Sequence, residues 1–199
     1  MKETMSKTFL AFLVVTPLIV PAVAGAQPLS AGIKFGVPLN DAFSVQSPNP
    51  LHYVVETKRY TAGPFIELHL PAHLAIEIDA LYKRYGYQAT DRLSAATVSA
   101  GSWEFPVLGK YRLISGPVQP FIEGGVAFSR LTDIPQVVEL NRKNNYGVVA
   151  GAGVELRLGF VRLSPEIRYN AWTRRFFDSP GGYLQSNRSQ ATVLVGISF

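Results

Sequence analysis

Residues 191–199 read ATVLVGISF. Ala191, Val193, Val195, Ile197 and Phe199 fall on one phase, and Thr192, Leu194, Gly196 and Ser198 on the other. Such alternation marks a β-strand with one apolar face, because successive side chains leave opposite sides of the pleat. It runs to the last residue and ends on an aromatic. A terminal strand this apolar suits a sheet that closes on itself, with the last strand pairing with the first. Closure satisfies every backbone N–H and C=O within the wall, which is the condition for crossing lipid without a helix.

Seven earlier segments alternate in the same way: residues 31–37, 59–70, 74–85, 103–114, 119–131, 146–158 and 160–172. In the third, Leu74, Ile76, Ile78, Ala80 and Tyr82 oppose Glu77, Asp79, Leu81 and Lys83. In the seventh, Val161, Leu163, Pro165, Ile167, Tyr169 and Ala171 oppose Arg162, Ser164, Glu166, Arg168 and Asn170. In all eight segments the charged residues of the strand core share the phase opposite the apolar one. The expected fold is all-β: an eight-stranded antiparallel up-and-down transmembrane β-barrel.

The connections alternate long and short. Short turns fall at Pro71-Ala72, Ser115-Gly116-Pro117 and Gly159. Long loops are expected after residue 37, over 88–101, around Asn141-Arg142-Lys143, and around Asp178 and Gly181. Outer-membrane barrels show this rhythm, with short periplasmic turns and longer outer loops. A secreted lipocalin-like barrel alternates equally well with its faces inverted. The terminal aromatic, the loop rhythm and the tyrosines near strand ends favour the membrane form. Pro64, Pro106, Pro120 and Pro165 lie within strands, and each is expected to mark a bulge or a strand end.

The first 26 residues carry Lys2 and Lys7, an apolar run from Phe9 to Val23, and the small residues Ala24-Gly25-Ala26. This pattern predicts a signal peptide over 1–26, cleaved before Gln27, and a barrel domain over 27–199. No later stretch is long and apolar enough to span a bilayer as a helix. Cysteine is absent, which excludes disulfides, thiolate ligands, a cysteine nucleophile and a lipidated cysteine. Charged residues make up only 17% of the chain, and mean hydropathy is +0.13.

The inward phase carries Glu67, Glu77, Asp79, Glu104, Glu123, Glu155 and Glu166, with Lys34, Lys83, Lys110, Arg112, Arg157, Arg162 and Arg168. Seven acids against seven bases is neutral. An eight-stranded barrel is just wide enough for side chains to fill it, and buried charges must pair. The expected interior is a plugged charge network beside small residues such as Gly125, Gly151 and Gly153. The formal charge of +5 becomes +4 once Lys2, Glu3 and Lys7 are removed. The excess sits in the long loops and at their strand ends, on Lys58, Arg59, Arg84, Arg92, Arg130, Arg142, Lys143, Arg174, Arg175 and Arg188. Clustered bases attract phosphates, and these ten are candidate contacts to lipopolysaccharide phosphates. A merely solvated rim is the plain alternative.

AGIKFGVPLNDAF, WEFPVLGKYRL, PFIEGGVAF, GVVAGAGVELRLG, LSPEIRYNAW and the closing ATVLVGISF together resemble the bacterial outer-membrane β-barrel domain family, related in shape to OmpA/OmpX-like small barrels. The resemblance covers nearly all of the chain after residue 26. It implies an eight-stranded barrel and carries over no catalytic residues. The terminal strand is similar to the signal read by the barrel-assembly machinery, with Val195, Ile197 and Phe199 at the matching positions.

His69 and His73 flank a tight turn, but two histidines without a third ligand are a weak metal signal. No metal or cofactor is expected. No serine, histidine and acid group together on the lipid-facing phase. The reading is a non-enzymatic, monomeric outer-membrane barrel with a structural or surface-interaction role. Its partners are membrane lipid, lipopolysaccharide and the assembly machinery, with no nucleic acid, and both termini are periplasmic. A narrow solute pore and a lipid-modifying enzyme are the alternatives.

Overall fold

The computed structural model describes residues 28–40, 43–44, 53–54, 59–91, 94–133, 144–174 and 185–199. The strand segments in chain order are β1 (Leu29–Pro38), β2 (Phe43–Ser44), β3 (Tyr53–Val54), β4 (Tyr60–His69), β5 (Leu74–Asp79), β6 (Leu81–Asp91), β7 (Ser94–Arg112), β8 (Val118–Asp133), β9 (Asn144–Leu158), β10 (Val161–Trp172), β11 (Gln185–Ser186) and β12 (Ser189–Ser198). They form a closed antiparallel barrel of eight staves, with β5 and β6 serving as one stave. The order around the wall is β1, β4, β5/β6, β7, β8, β9, β10, β12 and back to β1. β2 and β11 pair with each other, and β3 pairs with the outer part of β6.

The closing strand meets the first one in the register Ile33↔Ile197, Phe35↔Val195 and Val37↔Val193. The Phe199 N–H donates to the Ala31 carbonyl at 3.1 Å. The apolar phase faces outward: Ile122, Val126, Val148 and Ile167 are each at least half exposed. The opposite phase is buried, and Lys34 and Glu77 are 0% exposed. Water-soluble barrels place apolar residues inside. This wall is inverted, with an apolar band around a polar interior, as lipid requires. Tyr60, Tyr82, Trp103, Phe128, Tyr146 and Tyr169 crowd the half of the wall nearer the long loops, and the Tyr82 and Trp103 rings lie 5.4 Å apart. Aromatic rings at that level match the water–lipid boundary.

The strand prolines mark neither bulges nor ends. They come in two pairs, one flanking the adjacent residues Asp79 and Ala80 and the other the single residue Val154. Pro64 and Pro106 lie on the two strands beside Asp79 and Ala80, where the ladder breaks into β5 and β6. Register is the same on both sides of the break. The missing proline N–H groups account for it, while the Ala80 N–H still donates to the Pro64 carbonyl at 2.9 Å. Pro120 and Pro165 likewise lie on the strands either side of Val154. The β7–β8 ladder instead shifts register between Gly101 and Ser102.

The expected loop over 88–101 is instead a β-hairpin. β6 and β7 stay paired from Leu81↔Glu104 out to Asp91↔Ser94. Alanine, serine and threonine dominate this stretch, a composition that suits a loop as readily as a strand. Cross-strand pairing overrides that weak preference.

The short turns sit together at one end, with the start of β1 and the end of β12. One spans Pro71–Leu74, with Leu74 N–H donating to Pro71 O at 3.4 Å. Its central residues Ala72 and His73 have φ of 60° and 63°. That is the mirror-image turn whose twist suits a hairpin, made without the usual glycine or asparagine. Inside the barrel, glycines make room for large neighbours. A Cβ on Gly151 would lie 2.6 Å from Glu123 Oε1, and one on Gly153 2.5 Å from the Phe121 ring.

Candidate functional site

Arg168, on β10, is the hub of the interior. Its Nη2 donates to Glu77 Oε1 at 2.6 Å and lies 2.8 Å from Glu166 Oε1, and its Nε donates to Glu123 Oε1 at 2.7 Å. Its Nη1 donates to Asp79. Lys34 Nζ donates to Glu77 at 2.6 Å and Glu166 at 2.9 Å. Lys110 Nζ donates to Glu77 at 2.5 Å and Glu67 at 2.8 Å. Arg112 donates to Glu155 at 2.8 Å and also to Glu67. Aromatic faces complete two of the ammonium shells: Phe65 lies 4.8 Å from Lys34 Nζ and Phe121 4.5 Å from Lys110 Nζ.

These residues meet because each sits on the inward phase of its stave at similar height. Isolated charges this deeply buried would be prohibitively costly. Here four cations sit among six carboxylates, so every cation is surrounded while the acids are in excess. Accordingly Asp79 Oδ1 and Glu123 Oε2 are left without a hydrogen-bond partner. Oxygens of Glu77, Glu123 and Glu166 approach within 4.8 Å of one another, a spacing that suits a metal. Arg168 contacts all three, so its guanidinium already fills the role of a cation there. A second, smaller group lies nearer the long loops, where Lys83 meets Glu104 at 2.8 Å and Asn170 Nδ2 donates to Glu104 at 3.3 Å.

Two members of the expected interior set lie elsewhere. Arg157 and Arg162 are at the mouth on the short-turn side, and the Arg157 side chain is 44% exposed. Their strand phase is inward, but β9 and β10 end there, so the residues open onto a cavity instead of a packed core. Arg157 Nε donates to Glu155 at 3.2 Å. Arg162 Nη1 meets His69 Nε2 at 2.7 Å. Arginine only donates, so that nitrogen carries the lone pair, and the His69 proton sits on Nδ1, 3.3 Å from Glu67. His69 and His73 therefore do not share a ligand position: His73 Nε2 pairs with Ser115 Oγ at 3.0 Å. The Ser115–His73 pair was not legible in the sequence, since it joins two turns across 42 positions.

Of the loop-end bases, Arg84, Arg130, Arg174 and Arg188 are exposed at the long-loop end, and Arg59 Nη1 donates to Asn40 O at 3.3 Å. Arg84 and Arg130 lie on the outward phase, two residues beyond Tyr82 and Phe128. Lys58, Arg92, Arg142, Lys143 and Arg175 lie outside the described residues.

A family model described as "Outer membrane protein beta-barrel domain" matches residues 25–171. The chain belongs to that family. Its members are outer-membrane barrels with structural, pore or surface-interaction roles, and the outer membrane is where this chain resides. Among solved structures, OprG from Pseudomonas aeruginosa is similar over 85% of this chain and 92% of its own, with a TM-score of 0.59 and 11% identity. The Escherichia coli outer membrane protein W covers 89% of this chain and 99% of its own, with a TM-score of 0.49 and 10% identity. At 11% identity the likeness to OprG concerns the fold alone. A search of curated protein sequences found no match.

Proposed function

We propose that this barrel is a non-enzymatic outer-membrane protein with a closed interior, whose long-loop rim contacts lipopolysaccharide. The observation that carries the closed interior is the dehydrated network: the side chains of Lys34, Glu77, Asp79 and Glu166 are all 0% exposed. An ion crossing the bore has to displace Arg168 from four carboxylates at once. Recording purified protein in planar bilayers tests this. Silence is expected, and steady single-channel openings would overturn the closed reading in favour of a narrow pore.

The short-turn end faces the periplasm in this reading, with both termini there. Residues 1–26 are removed on export, Val195, Ile197 and Phe199 present the assembly signal, and the barrel works as a monomer. Arg84 and Arg130 then stand just beyond the aromatic girdle, at the level of lipid head groups, where long cationic side chains reach outward. Because the chain has no native cysteine, single cysteines report orientation cleanly. Arg188→Cys is expected to react with an impermeant maleimide in intact cells and Ser115→Cys only after lysis, and the reverse pattern would invert the topology. An enzymatic reading finds little support. Among the described residues, the Ser115–His73 pair has no carboxylate beside it in the cavity that it lines.

A further inference from the structure

The mouth at the short-turn end is a cavity of about 670 Å³. That volume is typical of a small-molecule site. Arg157 and Arg162 stand directly opposite each other on β9 and β10. Like charges in that position repel, and little nearby relieves them. Glu155 accepts from Arg157 Nε at 3.2 Å through one oxygen and is held by Arg112 at 2.8 Å through the other, so one carboxylate is divided between two guanidiniums. Arg162 donates to the uncharged lone-pair nitrogen of His69. No acid lines the cavity among the described residues. Each guanidinium has five N–H donors, so several are left for an occupant. Gln119 adds a further, independent sign. It is 4% exposed and lines the cavity, its amide nitrogen donates to Gly116 O at 3.0 Å, and its Oε1 has no partner. That oxygen accepts and does not donate.

We propose that this mouth binds a small oxyanion that also carries a hydroxyl. The phosphate or carboxylate is held between Arg157 and Arg162, with Ser115 within the same cavity. The hydroxyl donates to Gln119 Oε1. Sugar or polyol phosphates and hydroxy acids share this chemistry. The repulsion between the two arginines is then the binding determinant, since an anion placed between them removes it. Binding is a property of the purified protein and does not depend on whether the bore conducts. Only the compartment that supplies the ligand rests on the orientation proposed above.

The test is calorimetric titration of the folded barrel in an uncharged, phosphate-free detergent, with glycerol phosphate in one arm and gluconate in the other. Saturable binding of at least one is expected, weakening as salt is raised. The stronger arm identifies the phosphate or the carboxylate class. Arg157→Gln and Arg162→Gln should each weaken it by roughly ten-fold or more. Gln119→Leu should narrow the gap between the hydroxylated ligand and bare phosphate or acetate. Tyr146→Phe, at the opposite end of the barrel, should leave binding unchanged. The arginine variants sit at an open mouth, and retention of the heat-modifiable gel shift shows that they fold. No saturable binding of either probe up to about 50 mM, or undiminished binding in both arginine variants, would overturn the assignment.

Discussion

Arg168 on β10 and Glu77 on β5 lie on opposite walls of the barrel, and their side chains meet at 2.6 Å. Three staves separate them in either direction around the wall. Neither residue can reach its partner along the sheet, so the contact spans the bore. It holds only while the wall is closed, which makes the network a sensor of barrel integrity as well as its filling.

The acid excess around Arg168 makes the network asymmetric. Arg168→Met leaves Glu77, Asp79, Glu123 and Glu166 short of a cation, and should cost about 3–5 kcal/mol. Glu123→Gln removes a charge from the surplus side and supplies a donor where Oε2 now has no partner. It should cost less than about 1 kcal/mol or stabilise. Urea titration of the folded band on cold gels measures both. Equal losses would show that the acids are not in excess.

Lys83 and Glu104 form a more isolated pair. Replacing both, as Lys83→Met with Glu104→Met, should be close to neutral, while either single change costs about 3 kcal/mol or more. A double-mutant cycle in the same unfolding assay reads this directly. Asn170 loses its contact to Glu104 in the double variant, so any residual cost should stay within about 0.5–1.5 kcal/mol.

Val126 is 60% exposed near the middle of the apolar band. Val126→Arg should cost about 2–4 kcal/mol when the barrel is folded into bilayers. In detergent micelles, which deform around a charge, the cost should fall. An unchanged stability in bilayers would mean that this face does not meet hydrocarbon.

The turn at Ala72 and His73 adopts left-handed backbone, and alanine at its first central position is poorly suited to it. Ala72→Asn should stabilise by about 0.5–1 kcal/mol, because asparagine tolerates that conformation. The His73–Ser115 contact is untouched, so the gain isolates the backbone effect. A loss of stability in the unfolding assay would show that the turn is held by contacts instead of conformation.

The wall was legible in the sequence because side chains alternate with a period of two, and a single phase error would have placed Glu77 or Arg168 in lipid. Heights along the barrel were not legible. Arg162 shares its phase with Arg168, yet six residues nearer the turn it opens onto a cavity. The hairpin beyond Arg84 was missed because its alanines and serines carry little strand preference of their own. The proline pairs were invisible for a related reason. Pro64 and Pro106 lie far apart in the chain, and only the register shows that both border the same two residues. The partners of Arg168 were likewise beyond reach, since a one-dimensional pattern says which residues point inward but not which of them share a level.

Ties that run through the centre of a tube behave like the spokes of a wheel. They fix the circumference as well as the stiffness. Inserting one more hairpin between β5 and β10 would carry their inner faces apart, and neither Arg168 nor Lys34 has length to spare. Widening this barrel therefore requires a new set of interior residues along with the added strands. The number of staves is written into the middle of the bore as firmly as into the rim.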